Sequence, residues 1–325
     1  MRIEVVAGDA TQTAGDVLAL KYAQAWYGLD KYVADRLRQE GRGDAEMSPR
    51  PDGFRLLPSP NGFAPSSVLF VGVTSLWQFE YEQIRAFARK VLTTLAGELP
   101  ATRTLLVTLH GSGYGLDENE AFESQVAGFV EGIESGDVPE QLELIRFVER
   151  NKGRATRLQQ TLSGLFPDGT ITPIRDSQDR GSATERLRSV GRSSLSKRHV
   201  FVAMPFADHM EDVYHYGIQN AVNAVGWLCE RADLSAFTGD VMQWVQQRIK
   251  SASLVIADLT GANPNVYLEL GFAWGCGIPV VLLAKDTKDL LFDVRGQRCL
   301  LYKSIKDLED KLSRELAGLG TRDGV

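Results

Sequence analysis

The sequence predicts an α/β fold: two Rossmann-like three-layer domains, the second a five-stranded doubly wound parallel sheet. Three observations carry this. Strand-like apolar runs alternate with helical patterns in both halves of the 325-residue chain, the order that lays helices over the faces of a parallel sheet. The length suits two domains of roughly 100–200 residues. Between the halves the chain becomes poor in large apolar residues and rich in Arg, Ser and Asp, the composition of a connector, with one short helix expected near 183–190. The expected division is 1–167, a linker at 168–198, and 199–325.

In the first half, RIEVVAG, SSVLFVGV, TRTLLVTL and LELIRFVE read as buried strands, and YVADRLRQ, YEQIRAFARKVLTTLAG, ENEAFESQVAGFVEGI and ATRLQQTLSGLF as helices. A glycine-rich turn, Gly111-Ser112-Gly113-Tyr114-Gly115, separates the third strand from the helix after it. Glycines there let backbone N–H groups approach a phosphate at a helix N-terminus; a plain tight turn is the alternative. Asp117, Glu118 and Glu120 follow in the first helical turn, where they complement the helix dipole and would repel a nearby phosphate. Binding would therefore use the N–H groups of Gly111–Gly115 itself.

The second half restarts with HVFVA, a strand running into the turn Met204-Pro205-Phe206. A helix at 210–225, a strand at 227–232 and a helix at 240–251 are expected next. A strand at 254–259, a helix at 265–275, a strand at 279–284, a short strand at 299–302 and a final helix ending near 316 follow. Such sheets bind ligands beyond the carboxyl ends of their strands, where the strand order reverses. Met204, Pro205, Phe206, Asp233, Asp240, Asp258, Asn263 and Asn265 fall on those ends, with Arg295 on a later loop.

The stretch LTGANPNVYLELGFAWGCGIPVVLLAK holds one acidic residue, Glu269. A buried, unpaired carboxylate costs several kcal/mol, so Glu269 either faces water on a rim or lines a cleft for a chemical reason. Asn263 is the expected N-cap and Pro264 the first helical residue. Asn265 and Glu269, four apart, share a helix face, while Val266, Leu270, Ala273 and Gly277 recur as the sheet-packing stripe.

Composition excludes several classes. The chain is 43% apolar and 24% charged with a net charge of −6, which offers no global attraction to nucleic acid or an anionic membrane. The cysteines Cys229, Cys276 and Cys299 show no C-x-x-C spacing, and His209 and His215 are wrongly spaced for a shared metal on one helix face. The opening MRIEVVAGDA reads as a strand rather than a leader. No apolar run approaches the ~18 residues that span a bilayer. A cytoplasmic protein without cofactor or metal is expected.

VFVAMPF, SASLVIADLTGANPN and ELGFAWGCGIPVVLL together resemble the nucleoside 2-deoxyribosyltransferase-like superfamily, which is related to TIR-type NAD-cleaving domains. The resemblance spans about residues 199–303. It implies that the glutamate of the E-x-G-x-A helix, here Glu269, is the nucleophile or oxocarbenium stabiliser at the anomeric carbon. It also implies that Asp258 orients sugar or base, and that Met204-Pro205-Phe206 covers the sugar. The better-known transferases carry Gly-Pro-Phe there, so Met204 is a departure. In the first half, VVAGDAT, GSGYGLDENEA and LELIRFV resemble macro domains and the macro-like N-terminal domain of leucine aminopeptidases. In macro domains the glycine loop cradles the diphosphate of ADP-ribose. Here the loop is about one residue shorter, and LKYAQAWYGLDKYVADRL replaces the usual Asn-Ala-Ala-Asn stretch.

Cleaving an N-glycosidic bond develops positive charge on C1′ and the ring oxygen, which a carboxylate stabilises or attacks. Nicotinamide leaves neutral without an acid, whereas adenine or a pyrimidine gains from a donor such as protonated Asp258. Arg231, Arg248 and Arg295 suit phosphates, with surface or structural roles as the plain alternative. The expected function is an N-glycosidase acting on NAD or a (deoxy)nucleotide. It would be an antiviral-defence-type effector, gated by a nucleotide second messenger or ADP-ribose-like ligand in the first half. A salvage 2-deoxyribosyltransferase and a non-catalytic nucleotide-binding or assembly module are the alternatives. A homo-oligomer is expected, with no membrane or nucleic-acid partner.

Overall fold

A computed structural model describes residues 1–171, 182–231 and 241–322. It falls into two compact units, one of Met1–Ser112 with Glu118–Leu195 and one of Gly113–Asp117 with Ser196–Val325.

The first unit is built on a six-stranded sheet: β1 (Arg2–Ala7), β2 (Val17–Tyr22), β3 (Phe54–Pro58), β4 (Ser67–Gly72), β5 (Thr104–Val107) and β6 (Leu144–Glu149). The order is β1-β6-β5-β2-β4-β3, parallel except for the antiparallel edge strand β3. Its helices are α1 (Gly28–Gln39), α2 (Asp44–Met47), α3 (Tyr81–Glu98), α4 (Glu118–Ser135), α5 (Lys152–Leu165) and α6 (Ser182–Ser189).

The four expected strands are β1, β4, β5 and β6; β2 and β3 are additions. β2 is a central strand whose VLALKY carries a lysine, Lys21, just before its last residue, which reads as a surface break. Lys21 is instead buried, its Nζ 2.6 Å from Asp30 Oδ2 on α1. Burial raises the Asp30 pKa and the Lys21 charge opposes the rise, so the pair is what lets a lysine sit mid-sheet. β3 carries Arg55 and ends on Pro58, as an edge strand tolerates. Residues 182–195, inside the stretch read as a connector, pack within this unit. Leu187 and Val190 are buried, and Arg85 Nη1 donates to the carbonyls of Leu187 (2.9 Å) and Val190 (2.6 Å).

The second unit has the expected five strands, all parallel: β7 (His199–Ala203), β8 (Leu228–Glu230), β9 (Leu254–Asp258), β10 (Val280–Ala284) and β11 (Cys299–Leu301). Their order is β11-β10-β9-β7-β8. One face packs on α7 (Asp208–Asp212), α8 (Asn220–Ala224) and α11 (Ile305–Arg322) through Met210, Val222, Leu308 and Leu312. The other packs on α9 (Val241–Ser251) and α10 (Pro264–Gly275) through Val245, Ile249, Val266 and Leu270. The single helix expected at 210–225 is interrupted by a widened π-helical stretch, Val213–Gln219. Gly217 there meets α11 so closely that a Cβ would lie 2.7 Å from Leu308 Cδ2. No helix among the described residues is long and apolar enough to cross a membrane.

Candidate active site

The chain enters the second sheet at β7, steps outward to β8, then crosses back over β7 to β9. The strand order therefore reverses between β7 and β9, the place where sheets of this kind bind ligands beyond the carboxyl ends of their strands. Ala203 pairs with Ala257 in that ladder, which sets Met204 beside Asp258 at that edge.

α10 begins directly after β9. The side chain of Asn263 accepts a 2.9 Å hydrogen bond from Asn265 N, and Pro264 occupies the first turn, as the capping signals indicate. Val266, Leu270 and Ala273 are buried against the sheet. Gly277 does not extend that stripe: it lies exposed beyond the helix at φ 72°, a left-handed turn that suits glycine. The Tyr267 hydroxyl donates to Asp289 O (2.9 Å) and accepts from Leu291 N (3.1 Å). Lys250 Nζ sits 5.6 Å from the Phe272 ring centroid. α10 is thus tied on one flank to the loop after β10 and on the other to α9.

On this helix Glu269 is half-buried and forms no hydrogen bond or ion pair with any described residue. Burial alone pushes its pKa up to about 7. Asn265, one turn earlier on the same face, is exposed. Perturbed pKa values cluster at functional sites, so Glu269, without a partner among the described residues, is the candidate working group of this edge.

Asp258 differs from expectation. It is fully buried; Oδ1 accepts from Thr260 N (3.0 Å) and Oδ2 from the Tyr302 hydroxyl (2.7 Å). Thr260 Oγ1 in turn accepts from Lys285 N at 3.2 Å. Both carboxylate oxygens are engaged inside the protein, so Asp258 holds the loop beyond β9 rather than facing a ligand. That loop carries two successive left-handed residues, Gly261 (φ 75°) and Ala262 (φ 49°), the second at a cost of about 1–2 kcal/mol. Such backbone persists where its surroundings fix it.

Met204 is also buried, packed among the core side chains over β7, so its side chain does not line the strand-end edge as expected. Pro205 is half-buried and Phe206 exposed. Beside them Arg231 stacks over the rings of Tyr214 (4.0 Å) and Phe206 (5.1 Å), and its Nη2 lies 2.7 Å from Glu211 Oε1. Contact with His215, and with Arg231, holds the Glu211 pKa down at about 2 against its burial. Arg231 is therefore committed to the protein. Arg295 Nε donates to Leu290 O (2.9 Å) on the exposed loop after β10. Arg248 lies over the Trp244 ring, its Nε 3.7 Å from Glu230. Asp233 and Asp240 lie outside the described residues.

The sequence places Thr260 on the strand-end edge beside Asp258 but gives no sign of Tyr302 as the partner of that carboxylate, and Glu211 and His215 were missed. Tyr302 left a trace only as a polar-tipped residue closing the last strand. Among the described residues no cluster of His, Cys, Asp and Glu is arranged to hold a metal ion.

In the glycine turn, Gly111 (φ 93°) and Gly115 (φ 98°) need left-handed backbone. A Cβ on Gly115 would meet Trp244 at 2.1 Å, whereas one on Gly113 meets nothing within 4 Å. Ser112, Gly113 and Tyr114 are half-buried, so of the five candidates these three remain open to a ligand. Asp117 Oδ2 accepts from Cys229 N and Asn223 Nδ2, both at 2.8 Å. Glu118 is bound by Arg154 and Arg157.

No sequence model of a protein family matches the chain, and no curated protein matches it. Solved structures match by shape. One is a CMP N-glycosidase of Clostridium botulinum, 20% identical, with a TM-score of 0.31 over 36% of this chain and 99% of that one. Another is an Oceanobacillus iheyensis macrodomain with ADP, 16% identical, with a TM-score of 0.40 over 51% of this chain and 92% of that one. A tomato leucine aminopeptidase mutant matches at 10% identity and a TM-score of 0.34, over 88% of this chain and 82% of that one. These are likenesses of fold, and remote ones.

Proposed function

We propose that the second unit cleaves the base–sugar bond of a nucleotide, with Glu269 as the group that meets the anomeric carbon. The observation that carries this is Glu269 itself: half-buried, unpartnered, raised to about pKa 7 by burial, on a helix held rigid at the reversal between β7 and β9. In its ionised form one carboxylate oxygen attacks C1′. The C1′–N bond breaks as the C1′–O bond forms, and the bonding pair leaves with the base. Water then adds at C1′ and frees the carboxylate, or a second base takes the sugar and the reaction is a transfer.

The engagement of both Asp258 oxygens bears on the leaving group. Asp258 is buried with both oxygens turned to Thr260 N and the Tyr302 hydroxyl, away from a leaving base, which favours a base that departs unaided, as nicotinamide does from NAD. The glycine turn, on this reading, senses a nucleotide-like ligand at Ser112-Gly113-Tyr114, and the protein serves as a defence-type effector. The test is incubation of the full chain with NAD, deoxynucleosides and deoxynucleotides, with chromatography of the free base. Release of nicotinamide alone supports the reading, release of other bases places the acid elsewhere, and exchange between bases favours the transferase.

A further inference from the structure

The first unit contains a cavity of about 280 Å³ that involves none of the glycine-turn residues. It lies between the carboxyl end of β4 and one face of α3. Gln83, Ala86, Phe87, Lys90 and Thr93 recur on that face at helical spacing. Opposite them stand Val71, Gly72, Val73 and Thr74, with Asp52 at one rim. The walls are fixed: Asp52 N donates to Gly72 O and Gly72 N to Gly53 O, and a Cβ on Gly72 would lie 2.0 Å from Arg50 O. The cavity therefore exists before any ligand enters, which reduces the ordering cost of binding.

Its chemistry is asymmetric. Val71, Val73, Ala86 and Phe87 give an apolar body. Lys90 is half-buried at the wall, and its ammonium has no acceptor among the described residues; Asp52 likewise has no donor for its carboxylate. Arg89, also at the wall, faces Glu131 (3.5 Å) and Asp137 (3.8 Å). An ammonium on a half-buried lysine beside apolar surface favours an anionic partner, and the carboxylate of Asp52 disfavours a second negative charge.

We propose that this cavity binds a small organic monoanion with a flat apolar body, its acidic group paired with Lys90 and its ring against Phe87 and Val73. The test is isothermal titration of the full chain with 2-naphthoate and with its neutral counterpart 2-naphthylmethanol. Wild type should bind the acid more tightly than the alcohol. Lys90→Met should weaken the acid at least about tenfold and leave the alcohol unchanged, while Ala86→Trp, which fills the cavity from an exposed position, should abolish both. Thr93→Trp, a second filling variant, should do the same, and circular dichroism confirms that each variant is folded. Absence of heat from wild type at millimolar acid, equal acid affinity in Lys90→Met, or retained binding in both filled variants would overturn the proposal.

Discussion

The hydroxyl of Tyr302 donates a 2.7 Å hydrogen bond to Asp258 Oδ2, joining the residue after β11 to the last residue of β9 with β10 between them. Burial first, and the nearby carboxylate second, raise the Tyr302 pKa, so the phenol stays a donor at every working pH. Together with Thr260 N, this bond holds the loop that leads into the helix bearing Glu269.

Tyr302→Phe leaves a buried carboxylate oxygen without its donor. The expected cost is about 1–3 kcal/mol, seen as a lower thermal midpoint, with turnover reduced rather than abolished. An unchanged midpoint would mean the bond contributes nothing to the loop.

Asp258→Asn keeps an acceptor for Thr260 N and places an amide where the Tyr302 oxygen can accept. A positioning role predicts equal fractional losses of turnover whichever base departs. A markedly larger loss with adenine than with nicotinamide would restore Asp258 as an acid.

Glu269 gives a pH-dependent stability. Its folded value of about 7 lies above the ordinary 4.5, so the folded state keeps the proton longer than the unfolded one, and wild type loses stability as pH rises from 4.5 to 7. Glu269→Gln removes that loss. Its thermal midpoint should exceed that of wild type by a few degrees above pH 7 and converge with it below 4.5. A constant difference across the range would contradict the raised value.

Glu211 works in the opposite direction. Its pKa is lowered from 4.5 to about 2, so its stabilisation is complete above 4.5 and fades as pH falls toward 2. Glu211→Gln should therefore destabilise clearly at pH 7 and little near pH 2. Equal destabilisation at both would assign the effect to packing.

Gly113 and Gly115 should respond differently. Gly113→Val meets open space and should leave stability nearly unchanged while blocking uptake of ADP-ribose in a titration. Gly115→Ala must hold φ 98° and displace Trp244, at a cost of about 1–3 kcal/mol. Wild-type ADP-ribose affinity in Gly113→Val, or no heat with wild type, would return the loop to a structural turn.

Much of the second unit was legible because its strands are short, apolar and punctuated by capping residues. Asn263-Pro264 announced α10, and the isolation of Glu269 among apolar neighbours singled out the residue whose pKa burial raises. The fates of Asp258 and Met204 were not legible. A strand-end carboxylate looks the same whether it faces a ligand or a tyrosine 44 positions away, and Met204 looks like a lining residue although it is buried in the core. β2 escaped for a related reason: Lys21 reads as exposed unless Asp30 is known to meet it. In each case the deciding partner is distant in sequence, and no local pattern encodes it.

The most direct measurement of the central claim is free-base release by wild type and Glu269→Gln from NAD, deoxynucleosides and deoxynucleotides. Wild type should release base from at least one of them, with kcat/KM rising as pH passes through about 7, where Glu269 ionises. Glu269→Gln should be slower by roughly 10³-fold or more while retaining the wild-type circular dichroism spectrum. Full turnover in Glu269→Gln, or no base released by wild type from any of them, would contradict the account.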